Sequence, residues 1–349
     1  MTTTERPERT GRAYAAHARP WWQRALLTRE VGIIALLVVV VALSLQYVDN
    51  FRGPLTLPYL VLDTAPILLI ALPMTLVIIT GEIDLSVASV VGLSSVTVGL
   101  LVEAGWSVPA AAGAALLVGL ACGALNGFLV AFVGLPSLAV TIGTLALYRG
   151  VAVGLLGTKA VTDFPEAWTD LATARVGETQ LPVVLVPIVV LAAVFVVLLH
   201  FTPFGRGVYD IGLSADTARF SGVGVARTKL VLFVLTGTVA AFAGVFFTLR
   251  YGSARGDNAT GMELQVVAAV LLGGVSIFGG RGALHGVLAG VLLIGVVSSA
   301  LRLESVTVNV INIIIGALLV LSVISPSVTA WFVRRRRPTT PRPVGKEER

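Results

Sequence analysis

Charged residues are scarce in this chain. Asp, Glu, Lys and Arg make up 13% of its 349 residues, whereas 56% are hydrophobic. A soluble globular protein has about 25% charged residues. The stretches 31–46 and 183–199 contain no charge at all. Because a water-soluble core could not bury so much apolar surface, the composition predicts one membrane domain with short tails.

Residues that carry metal or nucleophilic chemistry are also few. The single cysteine, Cys122, can form neither an internal disulfide nor a thiolate metal site. His17, His200 and His285 form no metal-binding pair. No Gly-Lys-Ser/Thr phosphate loop occurs in the sequence. We therefore expect no catalytic residue, no metal and no cofactor in this chain, so any ATP use must come from another subunit.

The apolar runs predict an all-α, polytopic helical bundle. A spanning helix needs about 20 mainly apolar residues. Ten candidates occur, over about 31–47, 57–79, 85–102, 108–132, 137–156, 182–200, 229–249, 264–278, 282–301 and 307–327.

Basic residues set the expected orientation. The net charge is +6, and most Lys and Arg lie in the two tails, in the 201–228 loop and at Arg281, without interleaved aromatics. This distribution excludes a nucleic-acid stripe, and it predicts that both termini are cytoplasmic. The expected organisation is a basic tail over 1–30, a transmembrane domain over 31–327 and a second basic tail over 328–349. The longest external loop, 157–181, is either a partner site or a solvated connector.

Two carboxylates interrupt the apolar runs. The segment 81–89 reads Gly-Glu-Ile-Asp-Leu-Ser-Val-Ala-Ser, with Glu82 and Asp84 between apolar segments. An ionisable residue at membrane depth is a functional hypothesis by default, and Gly81 would weaken a helix here. Either the segment is a discontinuous element beside a solute path, or Asp84 caps a helix after a short turn.

Two further segments stand out. Five glycines and Arg281 lie within 273–282, which indicates either a tight turn or a flexible gate. In the 201–228 loop, residues 214–221 fit two turns of helix, with Ser214 as N-cap and Gly222 as the stop. That helix is either a knob for a soluble partner or an amphipathic linker. Arg149, near the end of the fifth span, is expected to snorkel to the interface.

Several of these segments, taken in order, resemble permeases of the ribose, xylose and arabinose class of ABC importers. The segment 81–89 resembles G-G-I-D-L-S-V-G-S, and 273–282 resembles G-G-T-S-L-F-G-G-R-G. Between them, 125–127 is similar to L-N-G, 141–150 to T-L-G-T…R-G, and 204–223 to the cytoplasmic coupling segment. The resemblance covers about residues 55–325.

The resemblance implies a multi-pass subunit of the bacterial inner membrane, surrounded by lipid. The expected partners are a second permease subunit (an identical or an unlike one), a cytoplasmic ABC ATPase and an extracytoplasmic solute-binding protein, with no nucleic acid. We expect a translocation path or gate at Glu82, Asp84, Ser86, Ser89, Asn126, Gly279, Gly280 and Arg281. We expect ATPase coupling at Gly205, Arg206, Ser214, Ala215, Ala218, Arg219, Ser221 and Gly222.

Two departures from the sugar pattern bear on the solute. Glu82 and Ala88 stand where the pattern has glycine, and this variation is more similar to the rhamnose or autoinducer-2 branch. The expected function is therefore import of a monosaccharide-like solute. The alternative is an ion-coupled secondary transporter, which would need carboxylates spaced through several spans.

Overall fold

The computed structural model describes residues 29–335, so most of the two predicted basic tails lies outside the described residues. Within 29–335 the chain is helical, and two isolated bridges, Val161 with Ala254 and Arg175 with Pro182, are its only strand-like pairings. The helices are α1 Arg29–Tyr47, α2 Thr56–Ile79, α3 Val87–Glu103, α4 Val108–Ala131, α5 Ser137–Leu156, α6 Glu166–Thr173, α7 Leu185–Phe201, α8 Pro203–Leu213, α9 Ala215–Phe220, α10 Val225–Tyr251, α11 Met262–Leu272, α12 Leu284–Leu303 and α13 Val308–Arg335.

Six helices, α1, α2, α4, α5, α10 and α12, are long and apolar enough to cross a membrane. A seventh span is obtained if α7 and α8, which meet at 68°, count as one bent element. Shorter apolar helices occur at 87–103, 262–272 and 308–322. The fold is therefore a polytopic helical bundle, and the count of ten spans stays a prediction.

Helix α2 lies at the centre of the bundle. Of its 24 residues, 20 are buried, and it packs against α7, α8, α10, α11 and α12. Helices α4 and α10 approach each other most closely, because Gly119 and Gly123 face Gly237 with no room for a Cβ atom on either side. The outward faces of α4, α5, α7 and α13 expose large apolar side chains, as expected for contact with lipid or another subunit.

The helix connections collect at two ends of the bundle. Connections 80–86, 132–136, 202–224 and 273–283 share one end, here called end A. There Ile83 N donates to Ser137 Oγ (3.2 Å) and Gly280 N donates to Ile79 O (2.8 Å). Connections 48–55, 104–107, 157–184, 252–261 and 304–307 share the opposite end, end B, where the Val161–Ala254 bridge forms.

The predicted eighth span, 264–278, is wrong in its extent. Helix α11 covers only Met262–Leu272, and 273–283 is a glycine-rich connection. Before α11, residues 252–261 form a non-helical segment that runs along α3 from Gly99 to Gly92. The segment therefore follows α3 over a length of about 10 Å. The segment and α11 together form one discontinuous element, because Gly252 and Gly261 adopt positive φ angles that end regular helix.

The 201–228 loop is more ordered than the sequence predicted. Helix α8 was missed, although Thr202 caps it by accepting a hydrogen bond from Gly205 N (3.2 Å) and Pro203 occupies its first turn. The short helix expected over 214–221 is confirmed as α9, with Ser214 Oγ accepting from Thr217 N (3.3 Å). Gly222 follows it at φ +86°.

Candidate functional site

The chain between α2 and α3 is a break built around Asp84. Gly81 takes φ +82°, which ends α2. The Asp84 carboxylate accepts hydrogen bonds from Ser86 N (2.9 Å) and Ser86 Oγ (2.6 Å), and thereby forms an Asx turn immediately before α3, whose N-cap is Ser86. Asp84 is only 1% exposed. Burial raises the pKa of its carboxyl, which lies outside both helices, to about 6, and the bonds from Ser86 oppose that rise.

A chain of hydrogen bonds joins this break to two neighbouring helices. Asn126 Nδ2 of α4 donates to Ser86 Oγ (2.8 Å). The Tyr148 hydroxyl of α5 lies within hydrogen-bond distance of Asn126 Oδ1 (3.2 Å) and of the Cys122 carbonyl (3.0 Å). The structure thus brings together Asp84, Ser86 and Asn126, which were predicted separately. Tyr148 was missed, because no periodic signal marks a tyrosine that hydrogen-bonds inside a bundle.

This network lies inside the protein. Asp84, Ser86, Asn126 and Tyr148 are all at most 4% exposed, and the cavities described below are lined by other residues. Ser89 donates to the Ser86 carbonyl (2.7 Å) within the first turn of α3. The network therefore fixes the positions of α3, α4 and α5 around the break.

Glu82 is the less deeply buried carboxylate of the break. It forms an ion pair with Lys229 Nζ near the start of α10, with both side chains more than four-fifths buried. The pair links the break to α10, which also packs on α3 and α4. Both carboxylates of the segment therefore hold helices together at end A.

The glycines of the 273–282 segment meet α8 and the end of α2. Gly280 N donates to the Ile79 carbonyl (2.8 Å), and Tyr209 Oη of α8 donates to the Gly282 carbonyl (2.7 Å). Gly212 of α8 lies against Ile79 O and Gly280 N with no room for a Cβ atom. We call this contact of Ile79, Gly212 and Gly280 the glycine junction. Gly279 packs beside it at φ +80°, while Arg281 is exposed.

Helix α9 forms a projection at end A. Ala218 is 2% exposed and packs with Ile211 and Val225, and Ala215 lies partly buried on the same cluster. Ala215 and Ala218, both expected to take part in coupling, therefore face into the protein. The exposed apolar groups are Phe220 (92%) and Leu213 (70%).

The remaining residues assigned to coupling are also divided between buried and exposed positions. Gly205 is buried against the Leu199 carbonyl, where a Cβ atom would not fit. Arg206, Ser214, Arg219, Ser221 and Gly222 are exposed. Phe220 was missed, because an aromatic at the end of a six-residue helix has no periodic partner to mark its face.

Three adjoining cavities surround the start of α11 towards end B. Their volumes are about 580, 180 and 180 Å³, and Gln265 lines all three. Met262, Thr260 and Asn312 each line two of them. The polar residues Gln265, Thr260 and Asn312 were missed, because neutral polar side chains carry no charge signal.

An ion cluster lies at the cavity of about 180 Å³ that Asp63 and Arg302 line. Asp63 of α2 accepts a hydrogen bond from Arg250 of α10 through Oδ1 (3.1 Å), and its Oδ2 forms an ion pair with Arg302 of α12 (3.1 Å). The cluster ties three helices together near end B. Sequence reasoning missed it, because its members lie far apart in the chain and share no motif.

Arg149 does not snorkel, contrary to the sequence prediction. Its guanidinium points inward and donates to the carbonyls of Gly256 (2.8 Å), Asn258 (2.7 Å) and Ala88 (3.1 Å). The non-helical segment 252–261 leaves carbonyls without backbone partners, and a buried carbonyl needs a donor. Arg149 therefore holds the discontinuous element against α3.

Comparison with known proteins places this chain among transport proteins. Residues 56–323 match the family described as "Branched-chain amino acid transport system / permease component". That range extends from α2 to the apolar part of α13. It includes the break, the glycine junction and the three cavities.

Three curated relatives share most of their length with this chain. Each is described as an autoinducer 2 import system permease protein, LsrD. The protein of Yersinia enterocolitica is 35% identical over 88% of this chain and 96% of its own length. That of Photorhabdus luminescens is 34% identical over 86% and 91%, and that of Salmonella paratyphi B is 34% identical over 77% and 84%. No solved structure matches the chain.

Proposed function

The chain belongs to the family of branched-chain amino acid transport system permease components, and from that premise we propose that it imports an autoinducer-2-like solute. It is a permease subunit of an ABC importer and a multi-pass protein of the bacterial inner membrane. The relatives described above are autoinducer 2 import permeases. The pattern at Glu82 and Ala88 points to the same branch.

The solute in this proposal rests on the relatives, and the structural observation that supports a partner-driven importer is the connection between the α9 projection and the discontinuous element. Phe220 protrudes from α9, and α8 connects this helix to the glycine junction. The junction joins α8 to the end of α2 and to the 273–283 connection that follows α11. A force applied at α9 therefore has a continuous backbone route to the element around which the cavities lie.

The proposal includes the topology. We count as membrane-crossing the six long helices, the bent α7–α8 pair and the three shorter apolar helices α3, α11 and α13. Ten elements then cross the membrane. End A, with Arg206, Arg219, Arg227 and Arg281, is then cytoplasmic by the positive-inside rule, and end B is extracytoplasmic.

The proposal also includes the partners. An ABC ATPase that binds ATP and Mg would contact α9 at end A. A second permease subunit would cover part of the exposed apolar surface, and a solute-binding protein would deliver cargo at end B, where the 157–184 connection carries the exposed helix α6. The permease itself would perform no chemistry on the solute. The family match favours this importer over the ion-coupled alternative.

The experiment is reconstitution of the chain with the proteins encoded beside its gene. The complex would be purified in detergent, and its ATP hydrolysis measured with the binding protein alone and with the binding protein loaded with autoinducer-2, rhamnose or ribose. We expect co-elution of an ATPase and the largest stimulation with autoinducer-2. Stimulation by rhamnose or ribose alone would reassign the solute. A chain that elutes alone, and whose uptake follows an ion gradient, would overturn the importer.

A further inference from the structure

Asp63 balances only one of the two guanidinium groups that it contacts. Its oxygens are divided between Arg250 and Arg302, and no other acidic side chain within 29–335 pairs with either arginine. One carboxylate and two guanidinium groups carry a net formal charge of +1. Ionisable residues of membrane spans commonly line substrate or ion pathways, so the cluster is a candidate functional site.

Arg250 is the arginine that is held in place. Its guanidinium stacks over the rings of Tyr59 (5.4 Å) and Tyr251 (5.3 Å), and its side chain is 11% exposed. Its Nε is buried and has no acceptor among the described residues. Arg250 therefore acts as the fixed counter-ion of Asp63.

Arg302 is the arginine that faces the cavity. Its side chain is 47% exposed and lines the cavity of about 180 Å³ next to Asp63. A guanidinium has five N–H donors, and within 29–335 Arg302 forms an ion pair with Asp63 but no hydrogen bond to a protein group. Its N–H groups are therefore open to solvent and to a solute in the cavity.

The other polar side chains of the cavity come from five helices. They are Thr64 of α2, Tyr251 of α10, Gln265 of α11, Ser298 of α12 and Asn312 of α13, set among apolar side chains such as Ile67 and Ile294. Helix α11 begins at Met262, whose N–H donates to the Ala259 carbonyl (3.1 Å), and its first turn lies beside the same cavities. Within the described residues the site holds no metal-binding cluster of His, Cys, Asp or Glu. The wall therefore holds one carboxylate, one guanidinium and several neutral polar groups, and Arg250 behind Asp63 makes the ion cluster net positive.

We propose that this cavity is a solute-binding site within the translocation path, and that it selects oxygen-rich, uncharged or anionic solutes with adjacent hydroxyl or carbonyl oxygens. Arg302 binds the adjacent oxygens through its two-pronged guanidinium. Gln265 and Asn312 orient the rest of the solute, and cations are repelled by the net charge. This inference rests on the proposed import function and adds a site to it.

The first test compares variants in the complete, reconstituted importer, with autoinducer-2 as the solute. Arg302→Gln removes the net charge but leaves the Asp63–Arg250 pair. We expect it to lower the initial import rate by about tenfold or more, the size expected for loss of a charged hydrogen bond, while co-purification with the ATPase is unchanged. Arg302→Lys keeps the charge and should recover part of the rate. Arg52→Gln, an exposed arginine at end B away from the cavity, is the matched control.

The second test measures whether solute occupies the cavity, and it does not depend on transport. Cys122, the chain's single cysteine, is buried, so Gln265→Cys or Asn312→Cys provides one accessible thiol. We expect a small thiol reagent to label either thiol, and labelling to slow at least about fivefold when the loaded binding protein and non-hydrolysable ATP hold the solute in the complex, since occupancy excludes the reagent. Tyr47→Cys, exposed at the end-B terminus of α1, should label equally in both states.

The outcomes separate this inference from the proposed function. Normal import by Arg302→Gln, or unchanged labelling of both cavity thiols, would overturn the site while the importer stands. A wild-type complex that neither hydrolyses ATP nor imports solute would instead overturn the importer. If Arg302→Gln fails to assemble, Asn312→Ala decides the matter, because the exposed Asn312 side chain lies outside the ion pairs of the cluster.

Discussion

Gly212 of α8 lies directly against the carbonyl oxygen of Ile79, the last residue of α2, so that no Cβ atom fits between the two backbones. Helix α8 carries the α9 projection, and α2 is the central helix of the bundle. Gly280 donates to the same carbonyl oxygen (2.8 Å). Three segments that are distant in sequence therefore meet at one oxygen atom.

A methyl group at position 212 should uncouple ATP hydrolysis from the loaded binding protein. Gly212→Ala forces α8 away from Ile79 and Gly280, because a Cβ atom would overlap backbone atoms that cannot rotate aside. We expect the ATPase still to co-purify, but its stimulation by the loaded binding protein to be lost. Gly143→Ala in α5, where nothing lies within 4 Å of the added methyl group, is the control and should transport normally. Full stimulation in Gly212→Ala would show that the junction transmits nothing.

Removing the charge of Asp84 should reduce import without unfolding the protein. In Asp84→Asn the amide oxygen can still accept from Ser86, so this variant should insert, assemble and bind the ATPase as the wild type does. We expect its import rate to fall, because the break would lose the ionisable group around which it is built. Uptake in proteoliposomes measures this, with Asp49→Asn, at an exposed position of the 48–55 connection away from α9, as the control. Unimpaired uptake would limit Asp84 to a capping role.

Asn126 should contribute to the stability of the bundle. Asn126→Leu leaves the Ser86 hydroxyl and the Tyr148 hydroxyl without the buried amide that they contact, which costs about 1–3 kcal/mol. We expect a lower midpoint in thermal unfolding of the detergent-solubilised chain. Asn309→Leu, at an exposed position of α13, should leave the midpoint unchanged. Equal midpoints for both variants would show that the network adds no stability.

Phe220 should be the main contact of α9 with the ATPase. Its ring is 92% exposed, and aromatic anchors dominate protein interfaces. Phe220→Ser should weaken co-purification of the ATPase, while the chain's own thermal stability is kept. Tyr47→Ser, which also removes an exposed aromatic but at end B, should leave co-purification unchanged. A large residue at position 218, such as Ala218→Trp, should instead distort α9, since Ala218 is buried against Ile211 and Val225.

Glu82 and Lys229 should be coupled energetically. Either Glu82→Lys or Lys229→Glu places like charges together at a mostly buried site, so each should lower stability and import. The exchanged pair restores attraction, and a double-mutant cycle on thermal stability should give a coupling energy of about 1 kcal/mol or more. Additive losses would show that the ion pair is incidental.

Local patterns in the chain were enough to predict the class of protein and the course of most of its helices. A long apolar run predicts a helix by itself, because the signal lies within the run and does not depend on tertiary contacts. The predicted segments 108–132 and 137–156 match α4 and α5 closely. Cap chemistry is also local, so Ser214 and the short α9 were predicted correctly. Ordered motifs at 81–89 and 273–282 were enough to identify the family.

Which of these residues meet depends on how the helices pack. Asp84, Ser86 and Asn126 form one buried network because α3 and α4 lie side by side, and Arg149 turns inward because the segment 252–261 has carbonyls that need donors. The extent of α11 depends on glycine backbone angles, which hydropathy does not register. The ion cluster of Asp63 forms only when α2, α10 and α12 converge, since an ion pair between distant positions leaves no pattern in the chain.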